Sequence, residues 1–141
     1  MSRNALFSVD DSGDKYYVDS GASDHPIPSR GELHAYRRFE KPVEISAADG
    51  GRVYAYGSGT LRVATSTSGL ECEVDLQDVY YVPNVHARLV SLGKLEAQEW
   101  EVCIRDGRME ICDQDGDLFA NVEKVNNVYP VWLTVVPQGM G

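Results

Sequence analysis

The segment DKYYVDSGASDHPI, residues 14–27, places a carboxylate, a hydroxyl and a glycine directly after an apolar run. The run ends at Val18, and Asp19, Ser20 and Gly21 follow it. An aspartate presented on a tight turn at the end of a strand can act as a general acid or base. Asp-Ser-Gly is also common in ordinary turns. The triplet alone therefore leaves open whether it is only a turn or half of a catalytic site.

Two other chemistries of serine- and glycine-containing motifs are excluded by spacing. A serine hydrolase needs Gly-x-Ser-x-Gly, which neither VDSGA nor YGSGT supplies. Gly57-Ser58-Gly59 lacks the third glycine and the following helix of a dinucleotide-binding loop. We interpret it as a glycine kink in a bent strand.

The candidate metal ligands do not have the spacing of a metal site, so we expect no metal and no cofactor. The segment DQDGDL, residues 113–118, has its glycine too early for an EF-hand and predicts an acidic turn. Three cysteines and three histidines form no zinc spacing. We expect the cysteines to be small buried residues of strands and the histidines to be solvated or structural.

Composition and charge restrict the class of protein. The chain has 141 residues and a formal net charge of −9, with its Lys and Arg scattered, which argues against direct nucleic-acid binding. No apolar run approaches the roughly 18 residues that span a bilayer, and the start lacks the apolar stretch of a secretory signal. We therefore expect no membrane contact and an intracellular, cytoplasmic location. We predict a flexible leader over 1–14, one domain over 15–136 and a tail over 137–141.

Short runs rich in Val, Tyr, Ile and Leu, broken by Gly, Asp, Asn and Pro, predict an all-β sandwich or barrel. The predicted strands are KYYVDS, VEISAA, RVYAYGSGTLRVAT, ECEVDLQDVYYV, WEVCIR, RMEICD, LFANVEKV and VYPVWLTVV. A two-residue turn at Asp106-Gly107 would set Ile104 opposite Met109 and Val102 opposite Ile111, which predicts a half-buried hairpin with these four apolar side chains on one face.

One stretch departs from the strand pattern. Ser91 is a suitable N-cap for a short helix over about residues 91–99, where Leu92, Leu95 and Trp100 supply the apolar side chains.

Four segments in fixed order resemble the protease region of Ty1/copia-type retrotransposon polyproteins. The resemblance covers roughly Tyr16 to Leu133, and its segments are YYVDSGASDH, EISAADGG, YGSGTLRV and DVYYVPNVHARLVSLGKL. It implies an all-β, closed retropepsin-like acid-protease barrel with one short helix and extra C-terminal strands. It also implies an aspartic endopeptidase that cleaves a Gag-Pol-like polyprotein.

The resemblance assigns roles to the loop after the first strand. Asp19 would be the catalytic carboxylate, and Ser20 would hydrogen-bond across the axis of a dimer. Gly21 would allow close backbone approach, and Ala22 would line the substrate groove. Beneath this loop would lie Leu89, Val90 and Ser91, and the tip of a flap hairpin would consist of Ala48, Asp49, Gly50 and Gly51.

The chain has one Asp-Ser-Gly and no Asp-Thr-Gly, so a site with two aspartates requires a second copy. Two close carboxyls share a proton because like charges ionise together only at a cost, and the pair can then act as acid and base. The expected partners are a second copy of the chain and a polypeptide substrate, and we expect greatest activity in mildly acidic solution.

The chain differs from retropepsins at Ser91, where they have glycine, at Leu92, where viral members commonly have arginine, and in the added segment Trp100–Val136. That segment would either cover the dimer interface or rebuild it. The alternative function is a non-catalytic, monomeric β-barrel interaction module, favoured by this segment and by the charge of −9. A structural domain with a chance Asp-Ser-Gly turn is a third possibility.

Overall fold

The structure is a computed structural model that describes residues 14–46, 51–67, 70–85, 87–126 and 128–136. Strands make up 67% of these residues, in agreement with the predicted all-β class. Most of the predicted leader and the predicted tail lie outside the described residues. The strands are β1 (Asp14–Asp19), β2 (His25–Ile27), β3 (His34–Ser46), β4 (Arg52–Thr67), β5 (Leu70–Tyr81), β6 (Arg88–Ser91), β7 (Glu101–Arg105), β8 (Arg108–Cys112), β9 (Leu118–Glu123) and β10 (Tyr129–Val135).

The larger sheet has seven strands in the order β2-β5-β4-β10-β1-β6, with β3 paired to β4 beside this path. β1 is an interior strand, antiparallel to β10 and parallel to β6. The parallel register sets Val18 opposite Val90 and Asp19 opposite Ser91. The end of β1 is therefore fixed on both sides by backbone pairing.

The predicted closed barrel is not found among the described residues, because β2 and β6, at the two ends of the strand order, are not paired with each other. The two strands approach each other, but a side chain lies between their backbones. The Ser91 amide at the end of β6 donates to Nδ1 of His25 in β2, at 2.9 Å. A bond from backbone to side chain thus links two strands that no backbone ladder joins among the described residues.

All eight predicted strands are present, but two short strands and half of a long one were missed. β2 and β6 have three and four residues and no polar–apolar alternation. β3 begins at His34, nine residues before the predicted VEISAA, with Ala35 at φ 53° and register irregularities before Val43. Bulges interrupt the period of two on which strand prediction depends.

Helix α1 spans Leu92–Ala97, shorter than the predicted 91–99. Ser91 is its N-cap, as predicted, and its Oγ accepts from the Lys94 amide at 3.1 Å. The helix ends early because Glu99 has φ 70°, outside the helical range. No helix of the described residues is long and apolar enough to cross a membrane.

The Asp106-Gly107 hairpin has the predicted register, with Val102 opposite Ile111 and Ile104 opposite Met109. Both turn residues have positive φ, 54° and 76°, as a two-residue hairpin requires. Ile104 is nevertheless 56% exposed, contrary to the predicted half-buried face. It lies on β7, an edge strand of the sheet β7-β8-β9, and faces an open cleft.

The three-stranded sheet shares its core with the larger one. Met109, Ile111 and Phe119 are buried together with residues of β1, β4 and β10, and the Trp100 ring meets Phe119 edge to face at 5.2 Å. DQDGDL forms the predicted acidic turn between β8 and β9, in which Asp113 accepts two backbone amides. The prediction of buried cysteines is wrong for Cys103, which is exposed on the edge strand β7.

Candidate functional site

Asp19 is the last residue of β1 and is half-buried. Its Oδ1 accepts the Gly21 amide at 2.7 Å, which closes a tight turn directly after the strand. This bond fixes the direction of the carboxylate. Ser20, between them, is exposed, and its hydroxyl has no hydrogen-bond partner among the described residues.

The loop of residues 19–22, here called the aspartate loop, is tied to a buried residue below it. Ser91 has no exposed surface, and its Oγ donates to the Ala22 carbonyl at 2.7 Å. The same oxygen caps α1. Of the neighbouring residues assigned to support the loop, Val90 is buried in the core, while Leu89 is half-buried and pairs with Tyr17.

His25 lies beneath the aspartate loop, next to Ser91, and is 1% exposed. Its Nδ1 accepts the Ser91 amide, and its Nε2 is buried without a hydrogen-bond partner among the described residues. Burial, and secondly the positive charge of Lys94, lower the pKa of His25 from 6.5 to about 3. The imidazole is therefore neutral and acts as a hydrogen-bond acceptor at physiological pH.

Lys94 of α1 joins the helix to strand β5 and to the loop before β2, near this histidine. Its Nζ donates to the Asp78 carbonyl at 2.7 Å and to Oδ1 of Asp24 at 3.3 Å. It also lies 4.3 Å from the centre of the Tyr80 ring, a cation–π distance. These contacts hold α1, which Ser91 caps, against β5 and this loop.

A second polar cluster lies at the start of β1. Arg88 donates to both carboxylate oxygens of Glu32, at 2.8 and 3.3 Å, and to the Tyr16 hydroxyl at 3.0 Å. Burial raises the pKa of Tyr16 to about 12, although Arg88 opposes this shift. Burial lowers the pKa of Arg88, but the bonds to Glu32 and Tyr16 outweigh it and the net shift is upward. The cluster fixes β6 against β1 at the end remote from Asp19.

A cleft of about 630 Å³ opens beside Asp19. Asp19 and Ser20 lie on one wall, next to Leu89 and Leu92. The opposite wall comes from the C-terminal segment and includes Ile104, Met109, Val125, Asn126, Val128 and Tyr129. Its volume is in the range of ligand-binding sites, and its lining combines apolar side chains with polar ones that include Lys15, Asp19, Ser20 and Asn126.

The predicted flap is described only in part. The arms of a β3–β4 hairpin are paired up to Ser46 opposite Arg52, and Gly51 is exposed. The tip residues Ala48, Asp49 and Gly50 lie outside the described residues. The residues that line the cleft include none from β3 or β4, and Ala22 does not line it either. The structure thus brings together Asp19, Ser20 and Leu89 at the cleft, with Ser91 below the loop and bonded to its last residue, Ala22.

The sequence profile of the family described as "Pol polyprotein, beta-barrel domain" matches residues 16–100. The match covers more than half of the chain and includes the aspartate loop, His25 and Ser91. The chain belongs to this family.

Two curated relatives from Arabidopsis thaliana agree with this membership of the Pol β-barrel family. The retrovirus-related Pol polyprotein from transposon RE2 is 30% identical over 80 residues, which are 57% of this chain and 5% of the relative. The corresponding polyprotein from transposon RE1 is 26% identical over 84 residues, 60% of this chain and 6% of the relative. The chain thus corresponds to a small part of each polyprotein, and the predicted origin in a retrotransposon Pol polyprotein is confirmed.

Two features of the site were missed from the sequence. His25 was grouped with the other histidines, of which His34 bonds to the Val136 carbonyl and His86 lies outside the described residues. Its segment, His25–Ile27, has three residues, includes Pro26 and has no alternation that would indicate a buried strand next to the loop. No local sequence pattern indicates the C-terminal wall of the cleft, because its residues are distant in sequence from Asp19.

Proposed function

We propose that the chain is the aspartic endopeptidase domain of a copia-type retrotransposon Pol polyprotein, active as a homodimer that cleaves Gag-Pol-like polyprotein. The observation that carries the proposal is the placement of Asp19. Its carboxylate is fixed by the Gly21 amide, half-buried at a cleft, on a loop tied to the buried Ser91. The Gly21 bond alone is that of an ordinary Asx-turn; the bond from the buried Ser91 and the position at the cleft go beyond such a turn and give the fixed carboxylate that catalysis requires.

In the proposed mechanism, two Asp19 carboxyls from two copies share one proton. The ionised carboxyl takes a proton from water, whose oxygen attacks the scissile carbonyl carbon, while the protonated carboxyl donates to the carbonyl oxygen. The tetrahedral intermediate then collapses: its C–N bond breaks, the leaving nitrogen receives a proton from one carboxyl, and a hydroxyl of the intermediate returns its proton to the other carboxylate as the C=O bond re-forms. Water is consumed, and an acid and an amine are released.

The environment of Gly21 supports approach by a second molecule. Among the described residues, a methyl group built there would meet only Oδ1 of Asp19, at an ordinary contact distance of 3.4 Å. The φ of Gly21 is not positive, so neither its backbone conformation nor its packing against the described residues requires glycine. The exposed Ser20 hydroxyl next to it would form the bond between the two loops.

The substrate in this proposal is an extended polypeptide whose scissile bond lies over the two aspartates. The cleft beside Asp19 would take side chains next to that bond, and the β3–β4 hairpin would close over the backbone by strand-like pairing. The setting would be the cytoplasm, within an assembling polyprotein.

The test is the substitution Asp19→Asn, with cleavage of polyprotein-junction peptides measured at mildly acidic pH. Asn retains an oxygen for the Gly21 amide, so the turn and the circular dichroism spectrum should be unchanged, whereas cleavage should be abolished. Cleavage by the Asn variant at the original rate would refute the assignment of Asp19.

Sedimentation equilibrium from pH 5 to 7.5 tests the dimer and separates the proposal from the monomeric interaction module. A dimer that strengthens on acidification fits the protease, since protonation reduces the repulsion between chains of net charge −9. A monomer at every pH and concentration, without cleavage, would favour the module.

A further inference from the structure

We propose that His25 is a positioning residue for Asp19, acting through Ser91 on the aspartate loop; this role rests on the proposed protease function. His25 does not reach the cleft, so it is not a catalytic residue. It acts from below the loop, where it is 1% exposed.

Two hydrogen bonds through Ser91 connect the ring to the aspartate loop, and a third lies within the loop. The Ser91 amide donates to His25 Nδ1 at 2.9 Å, and Ser91 Oγ donates to the Ala22 carbonyl at 2.7 Å. At the other end of the loop, the Gly21 amide donates to Asp19. Ser91 is also opposite Asp19 in the β1–β6 register. His25 therefore bonds to the residue that lies beside the first residue of the aspartate loop and is bonded to its last residue, Ala22.

The chemistry of the ring fits an acceptor at this point. Nδ1 must be unprotonated to receive the Ser91 amide, which places the proton of the neutral ring on Nε2. That Nε2 is buried and has no hydrogen-bond partner among the described residues. Among the described residues, the ring thus forms a single hydrogen bond, with the Ser91 amide. This bond is what accounts for a polar side chain at a fully buried position.

Neighbouring charges favour the neutral ring. Lys94, on α1, is the cation that acts on His25, and its ammonium is paired with Asp24 of the preceding loop and with the Asp78 carbonyl. A second positive charge on the ring would be repelled by Lys94 and would remove the acceptor for Ser91. Displacement of the aspartate loop by about 1 Å is enough to reduce a rate by about 10²-fold.

The experiment compares two variants with the full chain. In His25→Asn, Oδ1 takes the place of Nδ1 and still accepts the Ser91 amide. In His25→Leu, the volume is kept and the acceptor is lost. We expect kcat to fall by about 10- to 100-fold in the Leu variant with KM nearly unchanged, and the Asn variant to recover most of it. Thermal unfolding at pH 7.5 checks that both variants are folded.

A second readout does not need activity. Nitrogen NMR of the imidazole should show the Nε2–H tautomer, and hydrogen exchange of the Ser91 amide should be slow in the wild type and in His25→Asn but faster in His25→Leu. An Nδ1–H tautomer, or equal exchange in all three proteins, would overturn the positioning role, and it would do so whatever the activity.

The kinetic outcomes separate the two proposals. If the wild type shows no cleavage that depends on Asp19, the protease function fails, and the positioning role of His25 in catalysis fails with it. If the wild type cleaves and His25→Leu has an unchanged kcat, or if Leu and Asn lose activity equally, only the positioning role fails.

Discussion

Acidification should destabilise the fold through His25, which has a depressed pKa, and the size of the effect follows from the structure. The folded ring has a pKa of about 3, whereas the same ring in the unfolded chain has the ordinary value of 6.5. Between these values the unfolded state binds a proton and the folded state does not. The contribution of His25 to stability is therefore complete above pH 6.5 and is lost as the pH falls from 6.5 toward 3.

The magnitude at pH 5.0 is about 2 kcal/mol. Each pH unit below 6.5 costs about 1.4 kcal/mol as long as the folded ring stays neutral, and pH 5.0 lies about 1.5 units below the unfolded pKa. With a urea m-value of about 2 kcal/mol per molar, this corresponds to a midpoint lower by about 1 M.

The assay is urea unfolding of the wild type and of His25→Asn at pH 7.5 and 5.0. Asn does not titrate and keeps the acceptor for Ser91, so other groups, including Lys94 and Asp24, contribute equally to both proteins. Between pH 7.5 and 5.0, the unfolding free energy of the wild type should fall by about 2 kcal/mol more than that of the variant. Equal losses in the two proteins would refute the burial of a neutral His25.

Three further predictions concern the loop and the cleft. Gly21→Ala should change the unfolding free energy by less than about 0.5 kcal/mol but weaken dimerisation and cleavage, and unchanged association would contradict close approach at Gly21. The control is Gly57→Ala, whose methyl would lie 2.6 Å from a backbone carbonyl and which should lower the unfolding free energy by about 1–3 kcal/mol. Ser91→Ala should cost about 2 kcal/mol in urea unfolding, because it removes a helix cap and a buried hydrogen bond together, and a loss below about 0.5 kcal/mol would contradict both contacts. Ile104 is 56% exposed, so Ile104→Ser should change the unfolding free energy by less than about 0.5 kcal/mol while raising KM for peptides. An unchanged KM would exclude the C-terminal wall of the cleft from substrate binding.

Local chemistry made much of the fold predictable from the sequence. The Asp106-Gly107 turn set its own register, and Ser91 was identified as a helix cap, because both depend on residues a few positions apart. β2 and β6 were missed because they are short and their pairing partners are distant in sequence, so no periodicity marks them.

The same limit applies to the site. Asp19 and Ser91 were identified through the resemblance, and the structure brings them to the same end of a parallel strand pair. The acceptor role of His25 depends on a hydrogen bond across 66 positions and on complete burial, neither of which has a local signal. The closed barrel was implied by the resemblance alone, and no pattern in the sequence indicated which strands would close it.

Acid has opposite effects on two parts of the proposed enzyme. Protonation favours the shared proton of the Asp19 dyad and reduces the repulsion between two chains of charge −9, so activity should rise as the pH falls from neutral. The same acid removes the stabilising contribution of His25 below pH 6.5, so the profile should fall again at lower pH. In His25→Asn the acid side of the profile should shift to lower pH while the alkaline side stays in place. Superimposable profiles for the two proteins would show that the dyad sets both sides and that His25 does not limit activity in acid.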